Sequence, residues 1–391
     1  MDKGERRIME EKTFEDSFSC SFRDLNSFLE FLRERKENSS WFRAPSRSLR
    51  FRSVQRDSDP ASMIMKAVPG DGKAEVPADT VNGTGILMRV NGCEYPVRSC
   101  AMKTILERAR ISGSALGRVS ADVFARILND CLNVASGDSL VRIADRKVSA
   151  VHGGDPGDYA VLEMLPLFRR VRDYLDARFP GSTFLAANYD HSLVTAVWSL
   201  DGQADGLLGT YRREIAARGL AGNRRIRPGL RFTTSDTGAS GANLFPVLLL
   251  GNGSRIVPLG YPIRTHHRHG ADMDYFDEQL SLLYARFTEA VGKQIELMRT
   301  EIRYPATAIL GVLKRIGAPK RQSCEAADLF LAQHGAGPCT AYDLYLAMSE
   351  VVFIAQCEGA SAGRIAQLEE TVARALHADW QEYDVPGSFS W

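Results

Sequence analysis

The stretch GLRFTTSDTGASGANLFPVLLLGNG, Gly229 to Gly253, decides how this chain folds. Two runs suited to strands, about Gly229 to Thr234 and Asn243 to Leu250, flank a segment of Ser, Asp, Thr and Gly. Side chains of that kind satisfy nearby backbone N–H groups, and glycine accepts a positive φ. Strands joined by so short a connection pair antiparallel. A third strand over Arg255 to Ile263 extends the sheet, and STFLAANYD and HSLVTAVWSL supply two more upstream. Further hairpins are predicted at Asn91-Gly92, a dipeptide suited to a type I′ turn, and at Asp145-Arg146.

Helical spacing marks the flanks. SFRDLNSFLEFLRERK repeats Phe22, Leu25, Phe28, Leu29 and Leu32, with Ser21 and Asp24 as capping residues. The segment Leu165 to Phe179 is helical and stops against Pro180-Gly181. From about Asp272 onward only helical patterns recur, joined by short linkers bearing Gly and Pro. The expected class is α+β: a mixed, mainly antiparallel sheet with flanking helices and an all-helical C-terminal region. Three regions are expected. Residues 1–80 form a helix plus a basic, partly irregular segment, residues 81–270 an α+β core, and residues 271–391 a helical region.

With 44% hydrophobic and 25% charged residues and a net charge of +1, the composition is that of a soluble globular protein without a global pull on polyanions. Seven scattered cysteines form no C-x-x-C pair, which fits a reducing, cytoplasmic setting. The charged N-terminus lacks an apolar signal core, and LFPVLLL is too short to span a bilayer, so no membrane role is expected.

The run Asp-Thr-Gly-Ala-Ser is also how aspartic proteases present a carboxylate, which allows a dimeric protease built on Asp236. Thr233, Thr234 and Ser235 make the approach polar where a protease strand is apolar. A turn in which Asp236 binds backbone amides is the simpler expectation. The cluster His266, His267 and His269 with Asp272 and Asp274 lacks the spacing of known zinc motifs, and no phosphate loop or nucleophile elbow occurs. The chain is therefore expected to need no cofactor or metal and to have no catalytic residue.

Basic sequence carries more. Between Asn38 and Asp57 stand Arg43, Arg47, Arg50, Arg52 and Arg56, interleaved with Trp41, Phe42 and Phe51 and with no acid. Arginines neutralise phosphates and aromatic faces stack bases, which is how single-strand binders work. A second group comprises Arg212, Arg213, Arg218, Arg224, Arg225, Arg227 and Arg231.

The order of motifs resembles a phage- and plasmid-related family catalogued as domain of unknown function 932. Arg142, Lys147, Val148, Ala150 and Tyr159 fit its first hairpin. Ser235, Asp236 and Gly238 fall on its Ser-Glu-Gly segment, Asn252 and Gly253 on its Asn-Gly turn, and His269-Gly270 on its closing His-Gly. The resemblance implies a mobile-element accessory protein. Together with the arginines it leads to the expectation of a non-catalytic nucleic-acid binder, single-stranded DNA favoured, with self-association allowed. A protein-binding inhibitor of host defence is the alternative partner class.

Overall fold

The computed structural model of the chain describes residues 12–55, 58–59, 61–62, 64, 75–155, 157–219, 226–251, 255–268 and 271–391. In chain order the first elements are β1 (Ser19–Phe22), α1 (Leu25–Glu37), β2 (Ser39–Pro45), β3 (Arg50–Ser53) and α2 (Glu75–Asn82). There follow β4 (Ile86–Val90), β5 (Cys93–Pro96), α3 (Met102–Arg108), α4 (Ala121–Asn133), β6 (Asp138–Ala144) and β7 (Lys147–Gly153). Next come α5 (Met164–Arg178), β8 (Thr183–Asp190), β9 (Val194–Ser199), α6 (Ala204–Ala217), β10 (Ile226–Thr234), β11 (Ala242–Leu250), β12 (Arg255–Pro258) and β13 (Ile263–Thr265). The remainder is α7 (Met273–Ser281), α8 (Leu283–Arg299), β14 (Glu301–Ile302), α9 (Pro305–Ile316), α10 (Lys320–His334), β15 (Cys339–Thr340), α11 (Ala341–Met348), α12 (Glu350–Cys357) and α13 (Ala362–Ala373). The class is α+β, with antiparallel strand pairing and a C-terminal run of helices.

The main sheet has seven strands in the order β1-β8-β9-β10-β11-β12, with β13 also on β11. Its register gives it two different faces. Leu230 pairs with Trp198 and Phe232 with Ala196, and these side chains enter a core shared with α1, α5 and the C-terminal helices. Arg231, opposite Val197 and Phe245, points to the other face, where Phe245, Val247 and Leu249 form a small separate cluster. α13 packs against β12 and turns Glu369 onto Arg231.

Two three-stranded sheets, β2-β6-β7 and β3-β4-β5, share a second core with α3 and α4. The hairpin turns read from the sequence are present: Asn91 and Gly92 have φ of 51° and 79°, and Asp145 and Arg146 of 49° and 62°. The stretch 39–53, expected as mostly irregular, holds both β2 and β3. Its alternation is short, but Phe42, Ala44, Leu49 and Phe51 face the second core while Arg43, Arg50 and Arg52 face outward. Ser21 does not cap α1, because it belongs to β1 and pairs with Asn188; Asp24 alone accepts the Ser27 N–H, at 2.7 Å.

Candidate functional site

The loop between β10 and β11 builds itself around Ser235. Its hydroxyl oxygen accepts the backbone N–H groups of Thr237 at 3.1 Å and Ala239 at 3.2 Å. Asp236, expected to bind amides of that turn, does something else: it reaches out of the loop. Oδ1 accepts the N–H of Met164, the first residue of α5, at 3.2 Å, and Oδ2 accepts from Arg142 Nη2 at 2.8 Å. A carboxylate at a helix N-terminus satisfies an orphan donor and opposes the helix dipole. Burial raises the Asp236 pKa above the usual carboxylate value, although Arg142 and the Met164 N–H pull against it. Both oxygens are engaged within the chain, so the geometry does not offer Asp236 as half of a protease dyad.

Beside this pair stands a column of rings. His152 and Tyr159 are parallel with centroids 3.8 Å apart, Tyr159 and His267 are parallel at 5.2 Å, and Trp41 leans on Tyr159 at 5.5 Å. The Arg142 guanidinium lies over Trp41, 5.9 Å from the ring centre. His267 Nδ1 is 3.1 Å from the Ala160 carbonyl oxygen; a carbonyl only accepts, so Nδ1 carries the proton. The Nε2 atoms of His152 and His267 are buried without a partner among the described residues.

Gly238 allows this packing. Its φ is +75°, and a Cβ there would meet His152 Cε1 at 2.7 Å and the Tyr159 ring at 3.3 Å. Gly238→Ala is expected to lower unfolding stability by about 1–3 kcal/mol, combining a left-handed backbone cost with displacement of His152. Urea unfolding monitored by circular dichroism measures it.

Burial and the neighbouring His267 push the His152 pKa down to about 4, and burial lowers that of His267. A histidine whose folded pKa is depressed binds fewer protons folded than unfolded. Its stability contribution is complete above its unfolded pKa of about 6.5 and is lost as pH falls from there toward 4. Each tenfold change in proton affinity is worth about 1.4 kcal/mol, so His152 accounts for about 3 kcal/mol of that loss. Unfolding free energies at pH 7.5 and 4.5 should differ less in His152→Phe than in the native chain.

The arginines divide into exposed and engaged. Arg43, Arg47, Arg50 and Arg52 are all exposed on β2, β3 and the single 3-10 turn between them. That turn is anchored by buried Ser46, whose hydroxyl meets Ser139 Oγ at 2.8 Å and donates to Gly137 O at 2.9 Å, with Arg108 donating to both serine hydroxyls. Arg47 is thereby held outward. Arg52 pairs with Glu94. In the second group Arg212 pairs with Asp205 at 3.1 Å, Arg213 bonds Thr210 at 3.2 Å, and Arg227 pairs with Asp201 at 3.0 Å. Arg231 is corrected outright: only 2% of its side chain is exposed, it pairs with Glu369 and it lies over Phe245, so it faces no external phosphate. Arg224, Arg225, Asn252, Gly253 and His269 lie outside the described residues.

Of the interleaved aromatics, Phe42 and Phe51 belong to the second core, which leaves Trp41 half-buried as the one ring of the three outside it. Sequence reading missed Arg89. It is exposed on β4 directly opposite Arg50, and the alternation in ILMRV, which turns Ile86, Met88 and Val90 inward, carries that signal. Nothing in the sequence places His152 against Gly238. His266 is exposed and His267 buried, while Asp272 caps α7 by accepting the Tyr275 N–H at 2.8 Å. Among the described residues no group of three or more His, Cys, Asp and Glu is placed to hold a metal ion, and no helix is long and apolar enough to cross a membrane. Compared with protein-family models, curated proteins and solved structures, the chain finds no match.

Proposed function

We propose that the chain is a non-catalytic nucleic-acid-binding protein, an accessory of a phage or plasmid, that holds single-stranded DNA through the exposed arginines of β2, β3 and β4. The observation that carries this reading is the unpaired charge there. Arg50 and Arg89 stand directly opposite each other on antiparallel strands, a placement that repels. Glu94, the acid across from Arg89, is engaged with Arg52. Arg43, Arg47 and Arg89 have no acidic partner among the described residues. A phosphate backbone would relieve this repulsion, and Trp41, two residues from Arg43 on the same strand, offers one half-exposed ring to an unstacked base. One ring gives little sequence preference. The mobile-element assignment draws support from Arg142, Tyr159, Asp236 and Gly238, which come from separate motifs of the family resemblance and meet in one place.

Single strands release about 0.7 counterions per phosphate neutralised, so four arginines predict a log–log salt slope of about −3. Fluorescence anisotropy with a labelled oligonucleotide should show affinity falling by about 50-fold between 50 and 200 mM salt, with duplex DNA competing weakly. A flat salt dependence would count against phosphate recognition by this face.

A further inference from the structure

We propose that the cavity bounded by β1, β8 and the start of α13 binds a nucleoside through the N–H edge of its base, guanosine being the best match. The cavity measures about 500 Å3, within the roughly 300–1,000 Å3 of small-molecule sites. Its walls come from residues 16–21, 98–100 and 188–192, with Ala360 and Ser361 closing it. It lies apart from the arginine face, and neither reading depends on the other.

The wall is unsuited to an anion. Arg98 is the one Lys or Arg lining it among the described residues, only 1% exposed, and its terminal nitrogens are engaged: Nη2 donates to Thr13 O at 2.8 Å and to Asp145 at 3.3 Å, and Nη1 to Phe14 O at 3.1 Å. Asp16 is occupied as well, by Lys147 at 3.0 Å and by the N–H and hydroxyl of Ser99, both at 2.8 Å. These groups neutralise one another and, among the described residues, leave no cationic group open to the cavity.

Open acceptors remain. Asp190 Oδ1 takes the N–H groups of Ser192 at 2.7 Å and Leu193 at 2.8 Å, while Oδ2 has no partner among the described residues. His191 Nε2 lies 2.8 Å from the Glu15 carbonyl oxygen, so Nε2 carries the proton. Burial and the charge of Arg98 push the His191 pKa down to about 3, which keeps the ring neutral and leaves Nδ1 a lone pair. Phe18 and His191, with centroids 5.9 Å apart and both half-buried, supply an aromatic side, backed by Tyr189 at 6.2 Å from Phe18.

A flat, uncharged ligand with several N–H donors matches acceptors beside rings. Guanine presents N1–H and a 2-amino group side by side, two donors that can converge on the free Asp190 Oδ2, with ring area to lie against Phe18 and His191. Thymine has a single N–H on that edge. The hydroxyls of Ser19, Ser192 and Ser361 along the walls suit a ribose. A phosphate would meet Asp190 without a compensating cation, so the nucleoside is preferred over the nucleotide.

Isothermal titration of the full chain with guanosine, inosine, thymidine and putrescine tests this. Guanosine should bind with a Kd below about 1 mM. Inosine, which lacks only the 2-amino group, should bind at least about tenfold more weakly, as expected for one lost hydrogen bond to a charged group. Asp190→Asn retains the turn-forming Oδ1 and should weaken guanosine binding by at least about tenfold, its urea midpoint reporting that it folds. The comparison of guanosine with inosine needs no variant. Absent guanosine binding, equal affinity for inosine, undiminished binding to folded Asp190→Asn, or binding of putrescine alone would each overturn the proposal.

Discussion

Asp236→Ala should lower the unfolding free energy by about 3–5 kcal/mol, the usual cost of leaving a buried ionic partner uncompensated. Arg142 is 5% exposed and loses its only carboxylate among the described residues, while the Met164 N–H at the start of α5 loses its acceptor. Asp236→Asn separates the two contributions. The amide oxygen can still receive the Met164 N–H, so the helix cap survives and the charge does not. Its expected loss is smaller than that of the alanine variant by about 1 kcal/mol, the typical worth of an N-cap. Urea denaturation of the three proteins measures both differences. A loss of less than about 1 kcal/mol in Asp236→Ala would remove Asp236 from the structural role assigned here and reopen the question of what its carboxylate does.

The second large effect lies on the opposite face of the sheet. Glu369→Ala should cost about 3–5 kcal/mol, because Arg231 is then a buried charge with no counter-ion among the described residues. Burial alone already draws the Arg231 pKa down to about 9. The paired change Arg231→Met with Glu369→Leu removes both charges and puts apolar groups against Phe245 and Val247, so it should recover most of that stability or exceed the native value. The single variant and the pair, compared by thermal and urea unfolding, separate a buried ion pair from simple packing. Equal losses in both would show that the volume of these side chains, and not their charge, holds α13 to the sheet.

Local chemistry made much of this architecture readable in advance. Asn91-Gly92 and Asp145-Arg146 accept positive φ, so their hairpins could be placed from the sequence, and the strand-suited runs on either side of the Ser235 turn made the central strand pair plain. The stretch holding β2 and β3 reads as irregular chain with room for one short strand, because its outward residues are serines and arginines and its inward ones are too few to show a period in so short a run. Burial of Arg231 was illegible for another reason. An arginine between Leu230 and Phe232 belongs on the face opposite the main core, but whether that face meets water depends on α13, which arrives from the far end of the chain. The same distance hid the partner of Asp236, since no local pattern directs a loop aspartate to Arg142 and to the start of α5. Arginines that stayed available are those whose strand neighbours already fixed them outward, as Phe51 does for Arg50.

The arginine face itself is open to a single comparison. Fluorescence anisotropy at 50 mM salt, with a labelled single strand of about 20 nucleotides, should give saturable binding to the native chain. Arg50→Glu combined with Arg89→Glu turns the repelling pair into two acids, and should weaken that binding by at least about 100-fold while shallowing the salt slope by about 1.4. Both positions are exposed, so the variant should unfold within about 0.5 kcal/mol of the native chain. Unchanged affinity in the folded double variant, or no binding by the native chain at 50 mM salt, would contradict the account.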